Sequence, residues 1–224
     1  MGATFLAEDR TTTRRIEPVV KTMHGFKVHV DPALLEGKGK GQGQRALSML
    51  ANHLERIAIL VPPKKLRRMR TLEIWIEQQH PSLKNMQYHP SVHWLRQHKH
   101  DERLAKKVHI PVARHLLSKQ QLLKHPAVVL HELAHAYHHQ ILGFDEPRIF
   151  DAFKAAKKRG NYEKVLAHTG KHVRHYALSN HKEYFAEGTE AYLYRNDFFP
   201  FVRAELQNHD AQLHTLLQEI WGAK

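Results

Sequence analysis

His131-Glu132-Leu133-Ala134-His135 is an HExxH motif inside an apolar, helix-forming run, and no other stretch limits the possible folds as much. On a helix, positions i and i+4 stand one above the other on the same face. His131 and His135 can then grip one metal ion, with Glu132 close enough to act on a metal-bound water. Pro126 is placed to start the helix, because the N–H it lacks would be unpaired there anyway. Leu130, Leu133, Ala134, Tyr137 and Ile141 then form an apolar face with both histidines on its flank. Histidines beside a buried stripe are costly unless bonded, and a metal meets that need. The plain alternative is two surface histidines that happen to lie four apart.

Catalytic zinc usually takes three protein ligands and keeps one position for water. The longer HExxHxxGxxH pattern fails here, with His138 where glycine belongs and Ile141 where the third histidine belongs. The third ligand must come from farther on, and the natural place is residues 180–192, NHKEYFAEGTEAY. Glu183 and Glu187 lie one helical turn apart and share a face. Without a metal they would be a solvated acidic stripe on a basic protein.

HELAH, a gap of roughly fifty residues, then Tyr176 and Glu183-Tyr184-Phe185-Ala186-Glu187 resembles the catalytic domain of anthrax lethal factor and its relatives, which are zinc metallopeptidases with a glutamate ligand. The resemblance covers residues 125–195 and does not extend to the N-terminal third. It implies one catalytic Zn²⁺ held by His131, His135 and Glu183. It implies that Glu187 orients His131 through the other ring nitrogen, a task that fixes tautomer and basicity. It implies that Glu132 is the general base for attack of zinc-bound water on a peptide bond, and that Tyr176 donates a hydrogen bond to the oxyanion. Arg174 or His175 could replace Tyr176, and His138 and His139 could line the cleft.

The rest of the chain reads as α+β. Residues 1–22 are polar and aperiodic, which predicts a flexible leader before a single domain over 23–224. Phe26–Val30 and Leu72–Glu77 alternate as strands, and Val108-His109-Ile110 is a third, shorter candidate. Gly37–Gln44 reads as a flexible loop rather than a dinucleotide fingerprint, since about ten polar residues separate Gly41 from the strand before it. Apolar residues recur at helical spacing from Arg45 to Leu60, and the basic run Lys64–Arg70 after Pro62-Pro63 reads as a connecting loop. After Pro126 the pattern is helical to the end. A small twisted sheet packed on the HExxH helix, with a helical C-terminal half, resembles the zincin-like architecture of zinc metallopeptidases. There an edge strand pairs with extended substrate, and Val108, His109 and Ile110 are the expected edge. Gln87-Tyr88-His89-Pro90 could border the cleft.

Composition adds limits. The chain has 224 residues and no cysteine, which excludes disulfides, cysteine-ligated zinc and thiol catalysis. No window suits a membrane span. The N-terminus has no secretory pattern, so the chain works inside the cell or has lost such a signal. A net charge of +13 favours acidic partners. Nucleic acid is one such partner, but the basic run lacks the interleaved aromatics of a single-strand binding surface. The main expectation is therefore a metalloendopeptidase acting on protein or peptide. The rival classes are a catalytically silent metal-binding module and a nucleic-acid-associated protease.

Overall fold

The computed structural model describes residues 15–222. Over this range the chain is α+β, with a five-stranded mixed sheet in its N-terminal half and a mostly helical C-terminal half. Strands β1 (Val19–Met23) and β2 (Phe26–Val30) form a hairpin. Its turn residues, His24 and Gly25, have φ of 49° and 85°. Two positive φ values in a two-residue loop match the twist of the flanking strands. β1 thus takes residues 19–22 out of the expected leader, while residues 1–14 of that leader lie outside the described range. Its side chains are mostly exposed, so it carries no apolar alternation to read.

Helix α1 (Lys40–Leu60) buries Leu50, Leu54 and Ile57 in the main core and begins earlier than its apolar pattern predicts. It absorbs Gly41 and Gly43 of the glycine-rich stretch. A Cβ at Gly43 would collide with the backbone of Leu34, so this glycine serves close packing. Helix α2 (Pro63–Met69) replaces the loop expected over the basic run. Pro63 opens it, Leu66 and Met69 are buried, and Arg67 and Arg68 sit near its negative end.

Strand β3 (Glu73–Ile76), the two-residue β4 (Gln87–Tyr88), helix α3 (Val92–Gln97) and β5 (Lys107–Ile110) follow. The order across the sheet is β1-β2-β3-β5-β4, with β2, β3 and β5 parallel and β4 antiparallel to β5. This corrects the expected edge. Val108, His109 and Ile110 lie in an interior strand, flanked by β3 and β4, and all three are fully buried. Val108 and Ile110 enter the main core, while His109 bonds Glu77 and His89. The edge next to β5 is β4, too short to show a period of two.

The C-terminal half contains α4 (Lys119–Lys124), α5 (Val128–Tyr137), α6 (Pro147–Arg159), a small β6 (Val165–Leu166) and β7 (His172–Val173) hairpin, α7 (His181–Leu193), α8 (Arg203–His209) and α9 (Ala211–Trp221). The main core joins β2, β3 and β5 to α1, α5 and α7. A smaller cluster of Ile16, Trp75, Leu95 and Leu104 is separate from it. Among the described residues, no helix is long and apolar enough to cross a membrane.

Candidate metal centre

α5 carries the HExxH residues and packs against β4, β5 and α7. It is buried on nearly all sides rather than along one stripe, because α7 covers the histidine flank. A π-turn over His138–Leu142 follows it.

α7 brings the carboxylates. Asn180 caps it, its Oδ1 accepting from the Lys182 and Glu183 N–H groups at 2.9 and 3.1 Å. Glu183 therefore sits in the first turn, where the helix dipole favours a negative charge. From Tyr184 to Leu193 the helix is fully buried. A Cβ on Gly188 would lie 2.7 Å from Leu213, so this glycine lets α9 close on α7. Behind α7, Asp210 accepts from Tyr184 and Tyr162 at 2.6 and 3.2 Å and pairs with Arg159 at 2.7 Å.

Three donor atoms converge between α5 and α7. His131 Nε2 lies 3.0 Å from His135 Nε2 and 3.2 Å from Glu183 Oε2, and His135 Nε2 lies 3.1 Å from the same oxygen. Burial opposes a charge on Glu183, yet the contacts from His131 and His135 outweigh it and hold the carboxyl well below the usual range. A second convergence joins His125, His131 and Glu190. Glu190 Oε1 is 2.6 Å from His131 Nδ1 and 3.0 Å from His125 Nε2. Both groups could hold a metal ion.

The carboxylate on His131 Nδ1 is thus Glu190, not the expected Glu187, whose nearest oxygen is 3.7 Å away. Glu187 instead accepts from Asn196 Nδ2 at 2.9 Å, and burial beside Glu190 raises its pKa. Glu190 is three residues further along the same helix. The pattern Glu183-x₃-Glu187-x₂-Glu190 was readable as one face, but nothing in it says which glutamate meets the ring. His125 had no signal at all, since it follows α4 and meets α7 only in space.

Glu132 is buried, which raises its pKa, and its Oε2 accepts the Tyr88 N–H at 2.8 Å. The outward amide of the edge strand therefore holds this side chain. The Tyr88 hydroxyl meets His139 Nδ1 at 2.7 Å. Tyr176 opens a short 3₁₀ turn (Tyr176–Ser179), is 50% exposed, and lines the cleft together with His131, Glu132 and Glu183. Its neighbours turn away. The His175 ring is buried and accepts the Ala177 N–H, and Arg174 bonds Glu163 and the Leu178 carbonyl. His138 is fully buried among Phe144, His181 and Phe185, with neither ring nitrogen bonded, so it does not line the cleft.

Set against protein-family models, curated proteins and solved structures, the chain matches none of them.

Proposed function

We propose that this chain is a zinc-dependent metalloendopeptidase of zincin-like architecture, with His131, His135 and Glu183 as ligands. The observation that carries the reading is the near-equilateral spacing of their three donor atoms, 3.0, 3.1 and 3.2 Å apart. Ligands at zinc distances of about 2.0–2.1 Å in a tetrahedral arrangement lie about 3.3 Å from one another. The donor chemistry agrees. If the Nδ1–H of His131 donates to Glu190, its Nε2 presents a lone pair to another ring nitrogen and a carboxylate oxygen. Three electron-rich atoms facing one another call for a cation at their centre. The group around Glu190 fits less well. Its 2.6 Å contact is a charge-assisted hydrogen bond, and a nitrogen that carries this proton has no lone pair for a metal.

Zinc bound there supplies Lewis acidity to a substrate carbonyl and to water. The chain does the rest. The Glu132 carboxylate accepts the proton that water loses on attacking the carbonyl carbon, then delivers it to the leaving amine. Its raised pKa makes it a better base than an exposed glutamate. The Tyr88 N–H fixes its orientation. The Tyr176 hydroxyl, on the rim of the same cleft, donates to the oxyanion. Glu190 sets the tautomer of His131.

Metal analysis combined with a peptide-library digest tests this. Zinc at one per chain and cleavage that disappears in Glu132→Ala, with zinc retained, are the expected results. Wild-type cleavage by Glu132→Ala would overturn the mechanism. Metal loading without any cleavage would leave a metal-binding module.

A further inference from the structure

The cleft holds charges that the reaction does not use. On the β4 side of the three ligands, a hollow of about 620 Å³ runs along residues 82–88. Apart from His131, His135, Glu132 and Glu183, the charged side chains lining it are Lys84 and Lys182. Neither pairs with a carboxylate among the described residues. The Lys84 ammonium reaches the Pro81 carbonyl at 3.5 Å, and the Lys182 ammonium lies 4.0 Å from the centre of the Phe144 ring. Lys182 lies in the first turn of α7 beside the ligand Glu183 in sequence and lines the same hollow as the three ligands. Lys84 lies farther along, on the segment entering β4.

A neighbouring hollow of about 340 Å³ differs, its lining including Glu187 and Asp197, both buried, together with Lys124 and His125. Lys124 and His125 face carboxylates there that the reaction leaves free, whereas in the β4 arm the lining carboxylates, Glu132 and Glu183, belong to the metal centre and pair with neither lysine.

We propose that the β4 arm selects an acidic side chain, Asp or Glu, on one side of the scissile bond, with Lys84 and Lys182 as its partners. This inference rests on the peptidase reading above. A substrate carboxylate supplies the missing counter-charge, and the Phe144 ring already restrains Lys182, so less freedom is lost on binding. The net charge of +13 adds a long-range pull on acidic chains. A nucleic acid fits less well, because its backbone needs a run of cations and a row of stacking rings. Here two lysines stand beside the carboxylates Glu132 and Glu183.

The test gives the full chain, supplemented with zinc, a proteome-derived peptide library and reads the cleavage sites by mass spectrometry. Asp and Glu should be enriched at one or two positions on one side of the cut only. The best peptide is then compared with versions carrying Gln or Lys at that position. KM should rise about two- to fivefold for each ion pair lost, and less so as salt is added. Lys182→Glu and Lys84→Glu should turn the preference towards Lys and Arg while zinc stays at one per chain. Equal cleavage of acidic and neutral peptides, or a preference unmoved by both variants, overturns this proposal and leaves the peptidase standing. No cleavage by zinc-loaded chain overturns both. Salt-sensitive oligonucleotide binding lost in the lysine variants, with no charge preference among peptides, replaces the acidic peptide by nucleic acid.

Discussion

Glu190 Oε1 receives two rings at once, His131 at 2.6 Å and His125 at 3.0 Å. A carboxylate on Nδ1 holds the proton there and leaves Nε2 free for a metal. Glu190→Gln should weaken zinc binding on the order of 10–100-fold, as loss of such an orienting group does. Glu187→Gln should leave it nearly unchanged, because the Glu187 carboxyl is spent on Asn196. Glu183→Ala should leave no stoichiometric zinc. Chelator competition on the three variants ranks them, and an equal loss in Glu187→Gln and Glu190→Gln would return the orienting role to both. Tyr176→Phe removes one donor from the rim and should lower kcat about 100-fold with KM little changed. An unchanged kcat would move the oxyanion contact elsewhere. At this scale the sequence was informative where spacing alone decides contact. His131 and His135 face one point because a helix puts them there. Which glutamate meets His131 depends on how α7 rolls against α5, and no spacing encodes that roll.

The position of Glu183 depends on the whole of α7, whose start is fixed by one side chain. Asn180 satisfies two N–H groups that the helix cannot. Asn180→Ala should cost about 1 kcal/mol of stability, a fall in Tm of about 2–4 °C for a chain of this size. It should also weaken zinc binding, since the first turn that carries Glu183 would fray. A variant that melts earlier but binds zinc as tightly would show that packing alone holds the turn. Other elements explain what was and was not legible. β2 and β3 alternate because one side of each faces the main core, and this period is visible in any sequence. β1 is exposed except at Met23 and β4 has two residues, so neither leaves a pattern, though β4 holds Glu132. α2 was hidden by its charge. Five of its seven residues are Pro, Lys or Arg, and only Leu66 and Met69 face inward. Val108–Ile110 shows the converse: the strand itself was readable, but its place beside β3 and under β4 is a property of the assembled sheet.

Histidine burial is distributed over the whole molecule, and it sets how the fold responds to acid. Six histidines are driven down chiefly by burial: His53 and His80 to about 4, and His89, His109, His138 and His175 to about 3. Each is neutral in the fold and takes a proton in the unfolded chain near pH 6.5. Their contribution to stability is present above that pH and is lost as the pH falls from 6.5 towards 3–4. Glu77 works the other way. Burial raises it to about 7, so its contribution is present below 4.5 and fades as the pH rises to 7. His125, raised to about 9 against burial by Glu190, is charged in both states below pH 6 and does not alter the acid slope. Glu187 and Glu132, also raised by burial, act in the same sense as Glu77, so near pH 5 the unfolded chain holds an excess of no more than about four protons. At about 1.4 kcal/mol per proton per pH unit, one to two units of acidification offset the 5–15 kcal/mol typical of a domain. The zinc-free protein should unfold cooperatively near pH 5, before its exposed carboxylates titrate. Circular dichroism melts between pH 7 and 4 measure this, and a Tm that stays flat down to pH 5 would mean that the rings find water or bonding partners in solution. His109→Asn gives a second reading. It removes one titrating ring from the Glu77–His109–His89 chain, so it should shallow the acid slope by one proton while lowering stability at pH 7.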